Sequence, residues 1–226
     1  MDIAILIYDR LAALDAIGPY EVLSRVPGAT VTFVAEEAGE PKPGGHSPSA
    51  SIPVSVSTDP GPLRLMADAS LAELEHPEIV LVPGGPGQLA LMDDGPVHAW
   101  LRAAHETSQW TCSVCTGSLI LAAAGLLEGR RATSNWQALE ELRGFEGVEV
   151  VPERVVFDGK LATSAGVTAG LDMALELAAK VANEQVAQAI QLGIEYDPQP
   201  PFDAGSPEKA PAEIVEAVRA YSRFTS

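Results

Sequence analysis

Short apolar runs of strand length, each followed by a turn and a helical pattern, constrain the fold of this chain most strongly. Residues 1–8 form a nearly unbroken apolar run, and residues 79–82 read Ile-Val-Leu-Val. Continuous apolar runs of this length are typical of strands that are buried on both faces of a parallel sheet. We therefore expect both segments to lie in the middle of a sheet that helices cover on each side.

The rest of the chain continues this alternation. Further strands are predicted over residues 31–35, 110–114, 148–151, 155–157 and 161–164, and helices over residues 18–25, 96–107, 136–142 and 168–187. Strands that alternate with helices favour parallel pairing with right-handed crossovers. The predicted fold class is α/β, a three-layer α/β/α sandwich with a mostly parallel central sheet, as in flavodoxin-like folds.

The chain is expected to form a single domain. Its 226 residues suffice for one sizeable core. Residues 36–59 are rich in Pro, Gly and Ser and predict a loop with an edge hairpin near residues 52–56. Residues 197–226 predict an extended C-terminal arm with a short helix over residues 212–221. The domain is therefore placed at residues 1–226, with residues 197–226 as its arm.

The charge balance bears on possible partners. Fourteen Lys and Arg stand against 31 Asp and Glu, a formal net charge of -17. Such an acidic surface repels phosphate backbones and anionic lipid, so nucleic acid and membrane are not expected as partners. The N-terminus lacks the pattern of a secretory signal, and no apolar run has the length of a membrane span. We expect a cytoplasmic protein that acts on a small molecule.

Cys115 is the leading candidate nucleophile. It follows the strand predicted over residues 110–114, and Gly117 opens a helical pattern two residues later. Small residues two positions before and after the cysteine match the spacing of the strand-turn-helix corner that exposes a nucleophile. A helix N-terminus lowers the pKa of a thiol, so a thiolate is expected at neutral pH. The alternative is a buried structural cysteine.

The second cysteine, Cys112, completes a C-x-x-C pattern that is also found in redox dithiols and in zinc sites. However, Cys112 falls inside the predicted strand, whereas a redox motif places its first cysteine at a helix N-terminus. The four histidines show no ligand spacing. Neither a metal nor a cofactor is expected, and Cys112 is interpreted as a core residue.

A carboxyl group is the leading candidate for the proton-handling partner. Asp15 ends the loop after the first strand, at the edge of the sheet where Cys115 is expected. A carboxyl group in an apolar pocket has a raised pKa and can act as a general acid near neutral pH. The alternative for Asp15 is a helix N-cap. Glu21, in the first helix, is a second candidate.

The run Pro83-Gly84-Gly85-Pro86-Gly87 follows the strand over residues 79–82. It lacks the spacing of a nucleotide-binding loop. Gly84 and Gly85 are expected to present backbone N–H groups as an oxyanion hole, with the amide of Thr116 as a further donor. A plain strand-to-helix turn is the alternative.

Together these residues resemble the ThiJ/PfpI superfamily, to which the parkinsonism-associated deglycase belongs, within the class I glutamine amidotransferase-like fold. Inside it they are most similar to the isocyanide hydratases. The motifs that carry the resemblance are Leu14-Asp15, Gly18-Pro19, Pro83-Gly84-Gly85, Ser113-Val114-Cys115-Thr116-Gly117-Ser118 and Pro200-Pro201-Phe202. The resemblance covers nearly the whole chain.

The resemblance implies a homodimeric, metal-independent lyase that hydrates an isocyanide to an N-substituted formamide through a thioimidate on the cysteine. It assigns Cys115 as nucleophile and Asp15 as acid/base, with Thr116, Gly84 and Gly85 lining the pocket. Where relatives carry a histidine, this chain has Asn135. The alternatives are a glyoxalase or deglycase acting on α-oxoaldehydes and a non-catalytic sensor of a ligand or of oxidation.

Overall fold

The computed structural model describes residues 1–36 and 55–221 of the chain. Its strands are β1 (Asp2–Leu6), β2 (Leu11–Ala12), β3 (Thr30–Ala35), β4 (Ser55–Asp59), β5 (Arg64–Met66), β6 (Ala69–Ser70), β7 (Ile79–Val82), β8 (Trp110–Val114), β9 (Arg131–Ala132), β10 (Glu149–Val150), β11 (Val155–Asp158) and β12 (Leu161–Ser164). Its α-helices are α1 (Ala13–Leu23), α2 (Pro96–Thr107), α3 (Gly117–Ala123), α4 (Leu139–Arg143), α5 (Ala169–Val181), α6 (Glu184–Gly193) and α7 (Ala212–Ala220).

A seven-stranded sheet in the order β11-β12-β8-β7-β1-β3-β6 organises the fold. All of its neighbours pair in parallel except β11, which runs antiparallel to β12. Ile3 and Ile5 face a core that includes residues of α1, α5 and α6, while Ala4 and Leu6 face a second core that includes residues of α2, α3 and α4. Side chains alternate between the faces of a strand, so β1 is buried on both sides. The predicted three-layer α/β/α sandwich is confirmed.

Several predicted elements are found at their predicted bounds. They are β7, β8, β12 and α2. The segment around residues 52–56 falls partly outside the described residues, but from Ser55 onward β4 pairs antiparallel with β5. No helix in the described part of the chain is long and apolar enough to span a membrane.

Three helix predictions are wrong. The first helix begins at Ala13, five residues earlier than predicted, and includes Pro19. The predicted helix over residues 168–187 is two helices: α5 ends at Val181, and Asn183 caps α6 by accepting a hydrogen bond from the N–H of Val186. The helix predicted from residue 136 begins only at Leu139.

The sheet brings the turn at Cys115, the loop after β7 and the start of α1 together at one edge. Strands β7 and β8 are parallel neighbours, with Val82 opposite Ser113, so the glycine loop (residues 83–87) and Cys115 leave the sheet side by side. The N–H of Ala12 donates to the carbonyl of Gly84 at 2.8 Å, which ties the start of α1 to that loop. Ligands of open α/β sheets bind at this carboxyl edge.

Candidate active site

Cys115 lies at the turn between β8 and α3 with φ at 58°, in the left-handed region that non-glycine residues rarely adopt. Such a conformation is strained and persists only where its surroundings hold it. The carbonyl of Cys115 accepts hydrogen bonds from the hydroxyls of Ser134 at 3.0 Å and Ser118 at 3.2 Å, and its N–H donates to the carbonyl of Ser164 at 3.0 Å. The structure therefore has the strained corner that the sequence predicts.

Asp15 lies in the first turn of α1 and is completely buried. Its Oδ2 accepts a hydrogen bond from the N–H of Gly84 at 3.0 Å. Among the described residues its Oδ1 has no hydrogen-bond partner. The N-cap of α1 is Ala12, which makes no side-chain cap, so the N-cap alternative for Asp15 is wrong. The glycine loop therefore holds one oxygen of this carboxyl group, and the group also interacts with the Cys115 thiol.

Burial dominates the ionisation of Asp15. It raises the pKa of this carboxyl group from 3.8 to about 7, although the Gly84 hydrogen bond and an interaction with the Cys115 thiol both lower the pKa. A buried carboxylate loses its hydration, so the neutral form is favoured. Asp15 can therefore both accept and release a proton near neutral pH.

The pKa of the Cys115 thiol is raised well above its ordinary value, first by burial and then by the negative charge of Asp15. The sequence-based expectation of a standing thiolate is therefore wrong, because removal from water outweighs the helix N-terminus. The backbone of Thr116 and the side chain of Asn135 both hydrogen-bond to Cys115 and act in the opposite direction, lowering its pKa. The thiol and the carboxyl group titrate as a coupled pair.

Asn135 is a site residue whose contact with the thiol could not be read from the sequence. Its Oδ1 accepts a hydrogen bond from the N–H of Gln137 at 3.0 Å, which leaves Nδ2 as the group that can donate to sulfur. Nδ2 fills the space beside Gly166, where an added Cβ would lie only 2.2 Å from it. The amide therefore has a fixed orientation toward Cys115.

The glycine loop does not serve as the predicted oxyanion hole. The N–H of Gly84 is used by Asp15, and the N–H of Gly85 donates to the hydroxyl of Thr116 at 2.9 Å. Gly84 is nevertheless packed against Cys115, since a Cβ there would lie 2.5 Å from the backbone nitrogen of Thr116 and 2.9 Å from Cβ of Cys115. The loop lies beside Cys115 and holds Asp15, and the amide of Thr116 is the backbone donor to the Cys115 sulfur.

Two other sequence candidates lie elsewhere. The carboxylate of Glu21 is nearly half exposed and pairs with Arg25 at 2.8 Å on the surface of α1, so it is not part of this site. Cys112 is buried within β8, and burial raises the pKa of its thiol. Both cysteines are free thiols. Within residues 1–36 and 55–221, no group of three His, Cys, Asp or Glu side chains is arranged to hold a metal ion.

A cavity of about 360 Å³ lies next to Cys115, although neither Cys115 nor Asp15 lines it. Three of its lining residues contact Cys115 directly: the Ser134 hydroxyl donates to its carbonyl, the Asn135 side chain bonds to its thiol, and the Ala165 carbonyl accepts from its N–H at 3.3 Å. We call this space the Asn135 cavity. A larger groove of about 550 Å³ lies between α4 and α7, and neither Cys115 nor Asp15 lines it.

Comparison with known proteins places this site in a family. Residues 1–180 match the DJ-1/PfpI family. An isonitrile hydratase from Pseudomonas putida is 38% identical over 219 residues, which cover 97% of this chain and 89% of that protein. The HTH-type transcriptional regulator CdhR from Pseudomonas aeruginosa is 33% identical over 139 residues, covering 58% of this chain and 41% of the regulator.

Solved structures agree. A THiJ/PfpI family protein from Pseudomonas syringae has a TM-score of 0.87 and 35% identity, covering 97% of this chain and 85% of that chain. DJ-1beta from Drosophila melanogaster has a TM-score of 0.72 and 23% identity, covering 86% of this chain and 97% of that chain. The second likeness shows the shared fold.

Proposed function

This chain belongs to the DJ-1/PfpI family, and from that premise we propose that it is a cysteine-dependent isonitrile hydratase, which converts an isocyanide to an N-substituted formamide. One observation carries the proposal: the buried Cys115 thiol interacts with a carboxyl group, Asp15, whose pKa is about 7. The similarity to an isonitrile hydratase over 97% of the chain supports the same activity.

In the first step the Cys115 sulfur attacks the terminal carbon of the isocyanide. Asp15 starts as the carboxylate, accepts the thiol proton as the carbon–sulfur bond forms, and delivers that proton to the same carbon. The product is a thioimidate in which carbon carries both sulfur and hydrogen. A base with a pKa near the working pH suits both transfers. The high pKa of the resting thiol is no obstacle, because the proton leaves as sulfur attacks.

In the second step water adds to the thioimidate carbon, with the nitrogen taking a proton and the carbon taking a hydroxyl group. Collapse of this adduct expels the sulfur, releases the formamide and returns a proton to the Cys115–Asp15 pair. The Thr116 amide and Asn135, which hydrogen-bond to the sulfur, stabilise the negative charge that develops on it as the bond breaks.

The substrate enters through the Asn135 cavity. Cys115 and Asp15 are fully buried, whereas Asn135 is 7% exposed and lines this space. The Asn135 side chain separates this cavity from the Cys115 thiol, so we place the isocyanide carbon on the thiol side of the amide and the substituent on nitrogen in the cavity of about 360 Å³.

The test is incubation of the purified protein with an aryl isocyanide, with the formamide followed by chromatography. We expect turnover by the wild type, none by Cys115→Ala, and strong loss in Asp15→Asn. Cys112→Ala is the matched control, because it removes the other buried thiol and should keep the activity. Absence of formamide from the folded wild type would refute the proposal. Conversion of methylglyoxal to lactate instead would favour a glyoxalase.

We also propose that the chain assembles as a homodimer. Large apolar side chains remain exposed on the single chain, including Leu192 at 82%, Phe202 at 79% and Tyr221 at 83%. The resemblance to the ThiJ/PfpI superfamily implies this assembly, and in a dimer the partner would cover side chains of this kind. Sedimentation equilibrium measures the assembly directly, and a single species of 23.6 kDa would contradict it.

A further inference from the structure

Two hydrogen bonds meet on the peptide group that joins Pro83 and Gly84. The hydroxyl of Tyr8 donates to the carbonyl of Pro83 at 2.8 Å. The N–H of Gly84 donates to Oδ2 of Asp15 at 3.0 Å. These are the two ends of one planar amide, so Tyr8 and Asp15 are connected through a single conjugated group.

The two bonds reinforce each other. A donor on the carbonyl oxygen draws electron density toward that oxygen and leaves the N–H more positive. Hydrogen bonds in such a chain strengthen one another by roughly 10 to 30% per bond. The Tyr8 hydroxyl therefore makes the Gly84 N–H a stronger donor to the carboxylate of Asp15.

The structure holds this peptide in a fixed orientation. The Gly84 carbonyl accepts from the N–H of Ala12 at 2.8 Å, and the next N–H, that of Gly85, donates to Thr116. The ring of Tyr8 packs against both hydrophobic cores. The peptide group that connects Tyr8 to Asp15 is therefore held in one orientation, with its carbonyl toward Tyr8 and its N–H toward Asp15.

We propose that Tyr8 is a positioning residue of the candidate active site: through the Pro83–Gly84 peptide its hydroxyl sets the strength of the hydrogen bond that holds Asp15. This inference rests on the proposed function only for its kinetic consequence. Tyr8 does not touch the reacting atoms in this scheme, since its hydroxyl is used by the Pro83 carbonyl.

The surroundings of Tyr8 fit a role as a permanent donor. Burial raises its pKa, and the charges of Asp15 and Cys115 raise the pKa further, so the phenol stays protonated while Asp15 titrates. Tyr8 follows β1, Cys115 follows β8 and Asp15 lies in α1, and the charges of these three side chains act on one another. In the loop after Tyr8, Asp9 instead bonds to Ser57, and Arg10 pairs with Asp59.

The direct test is Tyr8→Phe, which keeps the ring and removes the hydroxyl. The Gly84 hydrogen bond lowers the pKa of Asp15, so weakening that bond must raise it. We expect the Asp15 midpoint to rise by about 0.1 to 0.7 pH unit, the result of weakening a hydrogen bond to a charged group by that fraction. The measurement is the C=O stretch of the protonated carboxyl group by difference infrared spectroscopy, with Asp15→Asn identifying the band.

A second substitution separates this role from a merely structural one. Fluorotyrosine at position 8 makes the hydroxyl a stronger donor and should lower the same midpoint, whereas damage to packing would not produce opposite shifts. Tyr20→Phe is the matched control, because Tyr20 stacks on Phe33 at 5.4 Å in another part of the core. It should leave the midpoint unchanged.

The acid limb of kcat/KM for the isocyanide should move with the infrared midpoint in Tyr8→Phe. A midpoint that stays the same as that of the wild type, or that falls, overturns the role of Tyr8. If the wild type fails to hydrate isocyanides, the infrared titration still decides the question, so failure of the proposed function and failure of this inference are distinguishable.

Discussion

The free energy of unfolding of Asp15→Asn, measured relative to that of the wild type, should increase as the pH rises. Asp15 is fully buried, and one of its oxygens has no hydrogen-bond partner among the described residues. Asn has nearly the same shape, can still accept from the Gly84 N–H through its oxygen, and carries no charge. The difference between the two proteins therefore isolates the cost of ionising this carboxyl group inside the fold.

The sign follows from linkage. The folded pKa is raised from 3.8 to about 7, so the folded state binds this proton more tightly than the unfolded state does. The stabilisation is present below the unfolded pKa and is lost as pH rises toward the folded pKa. A rise of roughly three pH units corresponds to about 4 kcal/mol over the full range, of which about 2 to 3 kcal/mol falls between pH 5 and pH 8.

The assay is equilibrium urea unfolding of both proteins at pH 5 and pH 8, at one protein concentration. Groups that do not interact with Asp15 are shared and cancel in the comparison, and burial raises the pKa of the Cys115 thiol and of the Tyr8 phenol in both proteins. We expect the stability of Asp15→Asn relative to the wild type to increase by about 2 to 3 kcal/mol between the two pH values. Asp93→Asn, at an exposed site on the surface, removes the same charge and should show no such increase. An equal difference at both pH values would refute the argument that burial controls Asp15.

Three further predictions follow from the same site. Hydration of an isocyanide should show kcat/KM rising as pH passes about 7, because Asp15 must be the carboxylate to accept the thiol proton; a flat pH–rate profile from pH 5.5 to 8 would contradict this. Asn135→Ala should lower kcat/KM by roughly 10-fold to 100-fold, the value of a hydrogen bond to a charged group. Gly166→Ala should have a similar effect, because its Cβ would lie 2.2 Å from Nδ2 and would displace the amide. The rate constants of both variants and the titration of the thiol at 240 nm check this, and wild-type rates in both would remove Asn135 from the mechanism. Gly84→Ala should abolish activity and lower the melting temperature, since the added Cβ would lie 2.5 Å from the Thr116 backbone nitrogen. Calorimetry and the formamide assay measure the two effects. An active, equally stable variant would show that the loop tolerates displacement.

Local sequence patterns were sufficient for six of the seven strands of the central sheet and for the corner at Cys115, whereas β6 was not predicted. Apolar runs bounded by turn residues located β7 and β8, and the small-x-Cys-x-small spacing located the corner at Cys115. These features depend on neighbours within a few residues. Parallel pairing then follows from alternation with helices, so the predicted carboxyl edge already contained Cys115 and Asp15.

Helix boundaries depended on packing and were predicted less well. Gly18 and Pro19 read as a helix start, yet α1 runs through both. Gly18 lets the Leu171 side chain of α5 approach to 3.4 Å from the position of an added Cβ, and burial of the α1 face against α5 outweighs the poor helix propensities of these residues. The local sequence around Gly18 does not show that α5 packs against this segment, so the start of α1 could not be read from it.

The sequence by itself determined which chemical groups are present and which edge of the sheet they share: a cysteine at a strained corner, a carboxyl group that follows the first strand, and the glycine loop. Only the tertiary structure decided how those groups ionise and bond. Burial raises the pKa of Cys115 where the helix terminus alone predicted a fall. The N–H groups of Gly84 and Gly85 go to Asp15 and Thr116 instead of facing the substrate. The reason is that desolvation and hydrogen-bond partners come from residues far apart in the chain, and only folding brings those residues into contact.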